Sequence, residues 1–241
     1  MENKKVAILF FGLTRSLKKT NDSLNEFLFT PLKENSINYD IYIHTYKIFG
    51  PYKNIWSREN TDNYENEDIE TLLNPNFYLY DNQETIINSI NFNEYYKKLG
   101  NWSGDKYFTK DVTKYLIRNL CLALYSKKQI TLLFDERKHD YDYAIIIRPD
   151  TKLKNKIDPN YFKELNETNI ILPKQDWHAG CNDRIFIGKP NIISYCGKLF
   201  DDLKTYSENK SIVSELFFFD KLNEKSITII SKPIEYDTLR M

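Results

Sequence analysis

Arg148-Pro149-Asp150 follows directly on the apolar run Ala144–Ile147, and this change of character is where chemistry is easiest to place. A short β-branched apolar run reads as a strand buried on both faces. In open α/β sheets, ligands bind beyond the carboxyl ends of such strands. Asp150 offers the hard oxygen that suits Mg2+ or Mn2+ bridging a diphosphate. Arg148 either neutralises phosphate charge itself or holds Asp150 in place, and a structural Arg–Asp pair is the plain alternative. The turn Gly12-Leu13-Thr14-Arg15 follows another apolar run, Val6–Phe11. Its glycine lets backbone approach a ligand, and Arg15 is suited to pairing with a phosphate; an ordinary strand-to-helix turn is the competing view. It is neither a GxxxxGK[ST] nor a GxGxxG loop. The polar stretch Asp176–Arg184 concentrates ionisable and aromatic groups between two strand-like runs. There Asp183 is a candidate general base, Trp177 a platform for a sugar face, and His178 a phosphate or metal contact. Cys181 has no evident partner as a nucleophile. Glu215 opens a helix-like run, where a carboxylate suits the dipole whether or not it is catalytic.

These residues need a scaffold, and strands alternating with helices supply an α/β one. Strands are expected at Val6–Phe11, Tyr39–Thr45, Phe77–Tyr80, Tyr141–Ile147, Ile170–Leu172, Arg184–Ile187 and Ile227–Ile230. Asn21–Glu34 reads as a helix capped by Asn21 or Asp22, with Leu24, Phe27, Leu28 and Leu32 on one face and a kink or early end at Pro31. With the strands at either side, it makes a parallel pair joined by a right-handed crossover. Thr109–Tyr125 carries the clearest helical stripe, continued by Lys127–His139. Asn191–Leu203 and Ser211–Asn223 are two further helices. Gly50–Asn76 reads as a long loop with one short helix near Asp68–Leu73, and 82–102 as irregular.

The 241 residues are 41% hydrophobic and 28% charged, with a formal net charge of +0. That suits one globular domain, or one core with an appended lobe. It lacks the bulk positive charge of a general nucleic-acid binder. Cys121, Cys181 and Cys196 form no CxxC spacing, so reduced thiols in a cytoplasmic protein are expected. No apolar stretch nears the roughly 20 residues that span a bilayer. Met1–Lys5 is charged and Val6–Leu13 is short, so no signal peptide is expected. The four Asn-x-Ser/Thr sequons, at Asn21, Asn101, Asn166 and Asn209, then read as chance matches.

The order of these motifs resembles that of GT-A type nucleotide-sugar glycosyltransferases, in particular a loosely defined group from capsule or lipopolysaccharide loci and large DNA viruses. The matching segments are Gly12-Leu13-Thr14-Arg15 after the first strand, the second strand ending Ile43-His44-Thr45, the strand Tyr143–Ile147 running into Arg148-Pro149-Asp150, Asn182-Asp183-Arg184 followed by Ile185-Phe186-Ile187-Gly188, and the acidic helix start at Glu215. The resemblance implies a single GT-A-like domain with a mostly parallel, Rossmann-like central sheet flanked by helices. Residues 1–153 would form the nucleotide-sugar-binding half and 154–241 the acceptor-side half. It implies a nucleotide-sugar donor over Gly12, Thr14 and Arg15, with Arg148 and Asp150 at the diphosphate. It also implies Mn2+ or Mg2+ on Asp150, Trp177, His178 and Asn182 toward substrate, and Asp183 or Glu215 as base toward a glycan acceptor. The expected location is cytoplasmic, the host cytoplasm if the source is viral. Arg148 replaces the first carboxylate of the family's DxD, which leaves metal dependence open. A literal DxD, Asp140-Tyr141-Asp142, precedes its strand and belongs to the opposite sheet edge. Two rivals remain at this point: a sugar-phosphate nucleotidyltransferase, and a non-catalytic nucleotide-sugar binder of the same fold.

Overall fold

A computed structural model describes residues 4–100, 109–178 and 180–240. The Asn101 sequon and the end of the irregular stretch 82–102 lie outside the described residues. The first strand, β1 (Lys5–Phe11), leads into α1 (Leu17–Leu24). That helix passes through a π turn, Asn25–Phe29, into α2 (Thr30–Glu34) before β2 (Asn38–Lys47). The helix starts a turn earlier than Asn21 because Leu17 is fully buried and extends the stripe of Leu24, Leu28 and Leu32. Pro31 does not end it. Proline cannot donate to the carbonyl four residues back, and that carbonyl, Phe27 O, instead accepts the amide of Ile157 at 2.9 Å.

The stretch read as loop holds a small hairpin, β3 (Tyr52–Asn54) and β4 (Glu59–Thr61), as well as the expected short helix α3 (Ile69–Leu73). After β5 (Phe77–Asn82) the supposedly irregular segment forms α4 (Gln83–Ser89), whose N-cap Asn82 accepts the Thr85 amide. The 26-residue α5 (Lys110–Asp135) runs unbroken from its N-cap Thr109, whose side chain accepts the Val112 amide, and ends short of His139. It is followed by β6 (Tyr143–Ile147), β7 (Thr151–Leu153), β8 (Asn169–Pro173) and β9 (Ile185–Gly188). The chain closes with α6 (Pro190–Gly197), α7 (Phe200–Asn209), α8 (Ser214–Glu224), β10 (Thr228–Lys232) and β11 (Tyr236–Thr238).

Seven strands form one sheet in the order β10-β8-β9-β6-β1-β2-β5. All its pairings are parallel except those of β9, which runs against β6 and β8. The fold is therefore α/β, with a mostly parallel central sheet flanked by helices. The unbroken apolar runs follow from burial on both faces. In β1, Ala7, Leu9 and Phe11 pack on the side of α5, while Val6, Ile8 and Phe10 face α1.

The helix expected over 191–203 is broken in two. Gly197 ends α6 against α5 so closely that an added Cβ would lie 2.8 Å from Thr131 Cβ. Rotating the threonine does not relieve a contact with its Cβ. Gly197→Ala is accordingly expected to destabilise the fold by about 1–3 kcal/mol, the usual cost of overpacking, read as a lower urea midpoint at unchanged slope.

Candidate functional site at the carboxyl edge of the sheet

Beyond β1 the chain turns at Gly12, whose φ of +94° is a conformation that favours glycine. Its amide donates to Ser126 Oγ of α5 at 2.8 Å. Ser126 Oγ also meets His44 Nδ1 at 2.7 Å, and His44 Nε2 meets Asp81 Oδ2 at 2.9 Å. This Ser–His–Asp line is a clamp on the turn rather than a hydrolytic triad, because Ser126 and His44 are both fully buried. The hydrogen bond from His44 lowers the pKa of Asp81. Thr14 is buried in the same turn, and its carbonyl accepts the Leu17 amide at the start of α1.

Arg15 points inward. One terminal nitrogen lies 3.0 Å from Glu59 and donates to Tyr52 Oη at 2.7 Å, and the other lies 3.3 Å from Asp150 Oδ2. The hairpin β3–β4 thus serves to carry Tyr52 and Glu59 to the end of β1. Asp150, 1% exposed, is the centre of the cluster. Arg148 grips it in bidentate fashion, Nε to Oδ1 at 2.9 Å and Nη2 to Oδ2 at 2.6 Å. Arg240 bonds Oδ2 from the far end of the sequence. Its segment is tied down by the antiparallel ribbon β7–β11, by Leu239 N to Asp150 O at 2.8 Å, and by Ser16 Oγ to Leu239 O at 3.0 Å. Burial alone would raise the Asp150 carboxyl, but Arg148 first, then Arg240 and Arg15, hold it well below the usual range. Burial brings Arg240 down to about 10, against the pull of Asp150.

This arrangement does not fit a divalent cation on Asp150. Three guanidiniums face two carboxylates, Asp150 and Glu59, and the local charge is already positive. Two unit charges 4 Å apart interact by about 4 kcal/mol at an effective dielectric near 20, and each arginine would repel a doubly charged ion more strongly still. Among the described residues, no group of three or more His, Cys, Asp or Glu side chains is placed to hold a metal.

The second half of the site reaches this edge because β9 is antiparallel. Ile147 pairs with Ile185, so the residues preceding β9 lie beside those following β6. Asp183 accepts a hydrogen bond from Ser214 Oγ at the start of α8, where the helix dipole favours an anion. Behind it lies Lys127, 3% exposed, with Nζ 4.8 Å from the Phe11 ring centre and 5.3 Å from that of Phe186. Lys127 donates to Asp183 O at 3.1 Å. Burial lowers its pKa, and the Asp183 charge works in the opposite sense. Glu215 is raised, by burial first and then by the like charge of Asp183. Cys181 N donates to Glu215 O at 3.1 Å, and Cys181 itself is an inert thiol pushed up by burial. A Cβ on Gly180 would sit 2.1 Å from Glu215 O. Gly180→Ala should therefore push the Asp183 loop off α8, with a lowered melting temperature as the readout.

The structure brings Gly12, Thr14, Arg15, Arg148, Asp150, Asp183 and Glu215 to one edge. Of the other expected contacts, Asn182 and Trp177 bond within the protein, and His178 acts on the Glu215 charge. Asn182 is fully buried and its amide is spent internally, on Gln175 O, Tyr236 Oη and the amides of Arg184 and Ile185, so no group is left for substrate. Trp177 donates to Pro173 O and lines a separate concavity of about 450 Å³ with Phe219 and Ile227. His178 is exposed, 4.0 Å from Asp176. The literal DxD lies at the opposite edge, where Asp142 bonds Lys4 and the Lys5 amide. Another concavity, about 640 Å³, opens at that opposite edge between Phe29, Tyr39 and Asn76 and holds none of the site residues. Sequence reasoning missed Tyr52, Glu59, Lys127, Arg240 and the Asp176–Arg184–Tyr236 brace. Lys127 alone left a signal, as a lysine on the apolar face of a long helix.

No protein-family model matches the chain, and no curated protein matches it. Similar solved structures include the glycosyltransferase GlyE of Streptococcus pneumoniae TIGR4, at 12% identity and a TM-score of 0.45, matched over 96% of this chain and 45% of that one. Another is mouse xyloside xylosyltransferase 1 in its apo form, at 10% identity and a TM-score of 0.44, matched over 95% of this chain and 85% of that one. The chain thus spans less than half of the first of these.

Proposed function

We propose that this protein transfers a sugar from a nucleotide-diphosphate donor to a glycan hydroxyl. The observation that carries this reading is the meeting, across β6 and β9, of a guanidinium cluster and a carboxylate pair on one sheet edge. The two halves suit the two ends of such a reaction. Asp183, with Glu215 beside it, takes the proton of the acceptor hydroxyl, whose oxygen attacks the anomeric carbon. The bond from that carbon to the diphosphate breaks, and the leaving oxygen's charge is stabilised by Arg148 and its neighbours. The turn Gly12–Arg15 lies on the donor side. Attack from the face opposite the leaving group makes the transfer inverting.

The test is a thermal-shift screen against UDP-, GDP-, TDP- and CMP-sugars, each with and without Mn2+. A ligand at one hundred times its Kd adds about 2.7 kcal/mol to the native state, roughly 5–10 °C for a chain of this size. Stabilisation by one nucleotide-sugar class is the expected result. A response to a nucleoside triphosphate with a sugar phosphate, and to no nucleotide-sugar, would turn the assignment to nucleotidyl transfer. Silence toward all of them would overturn it.

A further inference from the structure

We propose that this edge binds a diphosphate without a divalent cation, that Arg148 and Arg240 are its ligands, and that Asp150 is the group that holds the guanidiniums in register. The inference deepens the reading above, on which it rests for what the diphosphate is attached to. It does not rest on that reading for the binding itself.

Three observations carry it. First, both oxygens of Asp150 are engaged by arginine, Oδ1 by Arg148 and Oδ2 by Arg148, Arg15 and Arg240. A cation could reach this 1% exposed carboxylate only by displacing a guanidinium. Second, the Arg148 and Arg240 side chains remain 25% and 26% exposed, while the Arg15 side chain is only 5% exposed. A guanidinium offers five donors in a flat fork that matches phosphate oxygens, and Arg148 commits two of its nitrogens to Asp150. Third, two polar atoms around Arg15 are buried without a hydrogen-bond partner: Arg15 Nε itself and Tyr64 Oη, whose ring lies against Tyr52. Buried donors normally find acceptors, and the Arg15 charge acts on Tyr64 directly. Arg240 is the distinctive element, because it comes from a segment that no motif singles out.

Titration calorimetry on the full chain decides the matter, with inorganic pyrophosphate, UDP, GDP and CMP as separate probes, in EDTA and again with Mn2+. Pyrophosphate and the nucleoside diphosphates are expected to bind in EDTA, and Mn2+ should not tighten them. Arg240→Gln and Arg148→Gln should each weaken pyrophosphate at least tenfold, and Arg240→Lys by less, since it keeps the charge and loses the fork. Melting curves confirm that each variant is folded. Because Arg240 is on the rim, its substitution keeps the test open even if an Arg148 variant fails to fold. Binding that requires Mn2+, or an Arg240→Gln protein that melts and binds like the parent, would overturn the proposal. Pyrophosphate binding with no response to any nucleotide-sugar would sustain it while removing the transferase reading. Nucleotide-sugar binding seen only with Mn2+ would do the reverse.

Discussion

Asp150→Asn melts roughly 6–20 °C below the parent protein. Removing one partner of a buried, hydrogen-bonded ion pair costs about 3–5 kcal/mol, because the remaining charge is left uncompensated, and each kcal/mol moves the midpoint by about 2–4 °C at this length. Here three guanidiniums lose the carboxylate they share, and of the three Arg15 keeps a second one, Glu59. The effect has a pH signature. The folded carboxyl is held well below its unfolded value, by Arg148 foremost against the opposing effect of burial. Its contribution is therefore complete above the unfolded pKa of about 3.9 and is lost as pH falls from there toward the folded pKa. Urea midpoints measured between pH 6 and pH 3 should fall steeply for the parent and less steeply for Asp150→Asn. Equal stability of the two proteins at pH 7 would show that Asp150 does not organise the arginines.

Asp183→Asn lowers turnover by about 10²–10⁴-fold, the usual range for losing a positioned base, with little change in donor binding. The isosteric amide keeps an acceptor for Ser214 Oγ and the backbone carbonyl for Lys127, so a loss of rate with an intact fold reports the carboxylate's chemistry. Glu215→Gln is the informative partner. Burial, and then the nearby Asp183 charge, raise the Glu215 pKa. A carboxyl raised in the folded state loses stability as pH climbs from its unfolded pKa through its folded one. Glu215→Gln should therefore be more stable than the parent at pH 7 and gain nothing below about pH 4. A Glu215→Gln protein with unchanged stability at pH 7 would show that the buried carboxylate carries no cost to the fold.

The sheet was legible in the sequence where burial on both faces writes itself as an apolar run, as in Val6–Phe11 and Ala144–Ile147. The placing of Arg15, Arg148, Asp150 and Asp183 at one edge followed from those strands. The partners of Asp150 were not legible. β7 and β11 are three residues each, too short for a period to show, and they pair across most of a hundred positions. The β3–β4 hairpin turns through Arg58 at a φ of +57° where a glycine would have announced it. The bonding of Asn182 was not legible either, since a polar loop residue suggests substrate, whereas its amide holds the loop to Gln175, Tyr236 and β9. Of the two outcomes allowed for at Pro31, the early end does not occur, since the carbonyl it leaves unserved is satisfied by a residue distant in sequence, Ile157, and the helix passes through a π turn just before it.

The Ser16–Leu239 hydrogen bond joins positions 223 residues apart. Chains emerge from the ribosome from the amino end, so Arg15 is made first, Asp150 well after it, and Arg240 last of the three. During synthesis the Asp150 carboxylate has only its two earlier guanidiniums, and the arginine cluster is complete only once the β7–β11 ribbon has paired. On the proposed reading, a diphosphate bound there would also clasp the loop that runs from Ser16 to Leu239.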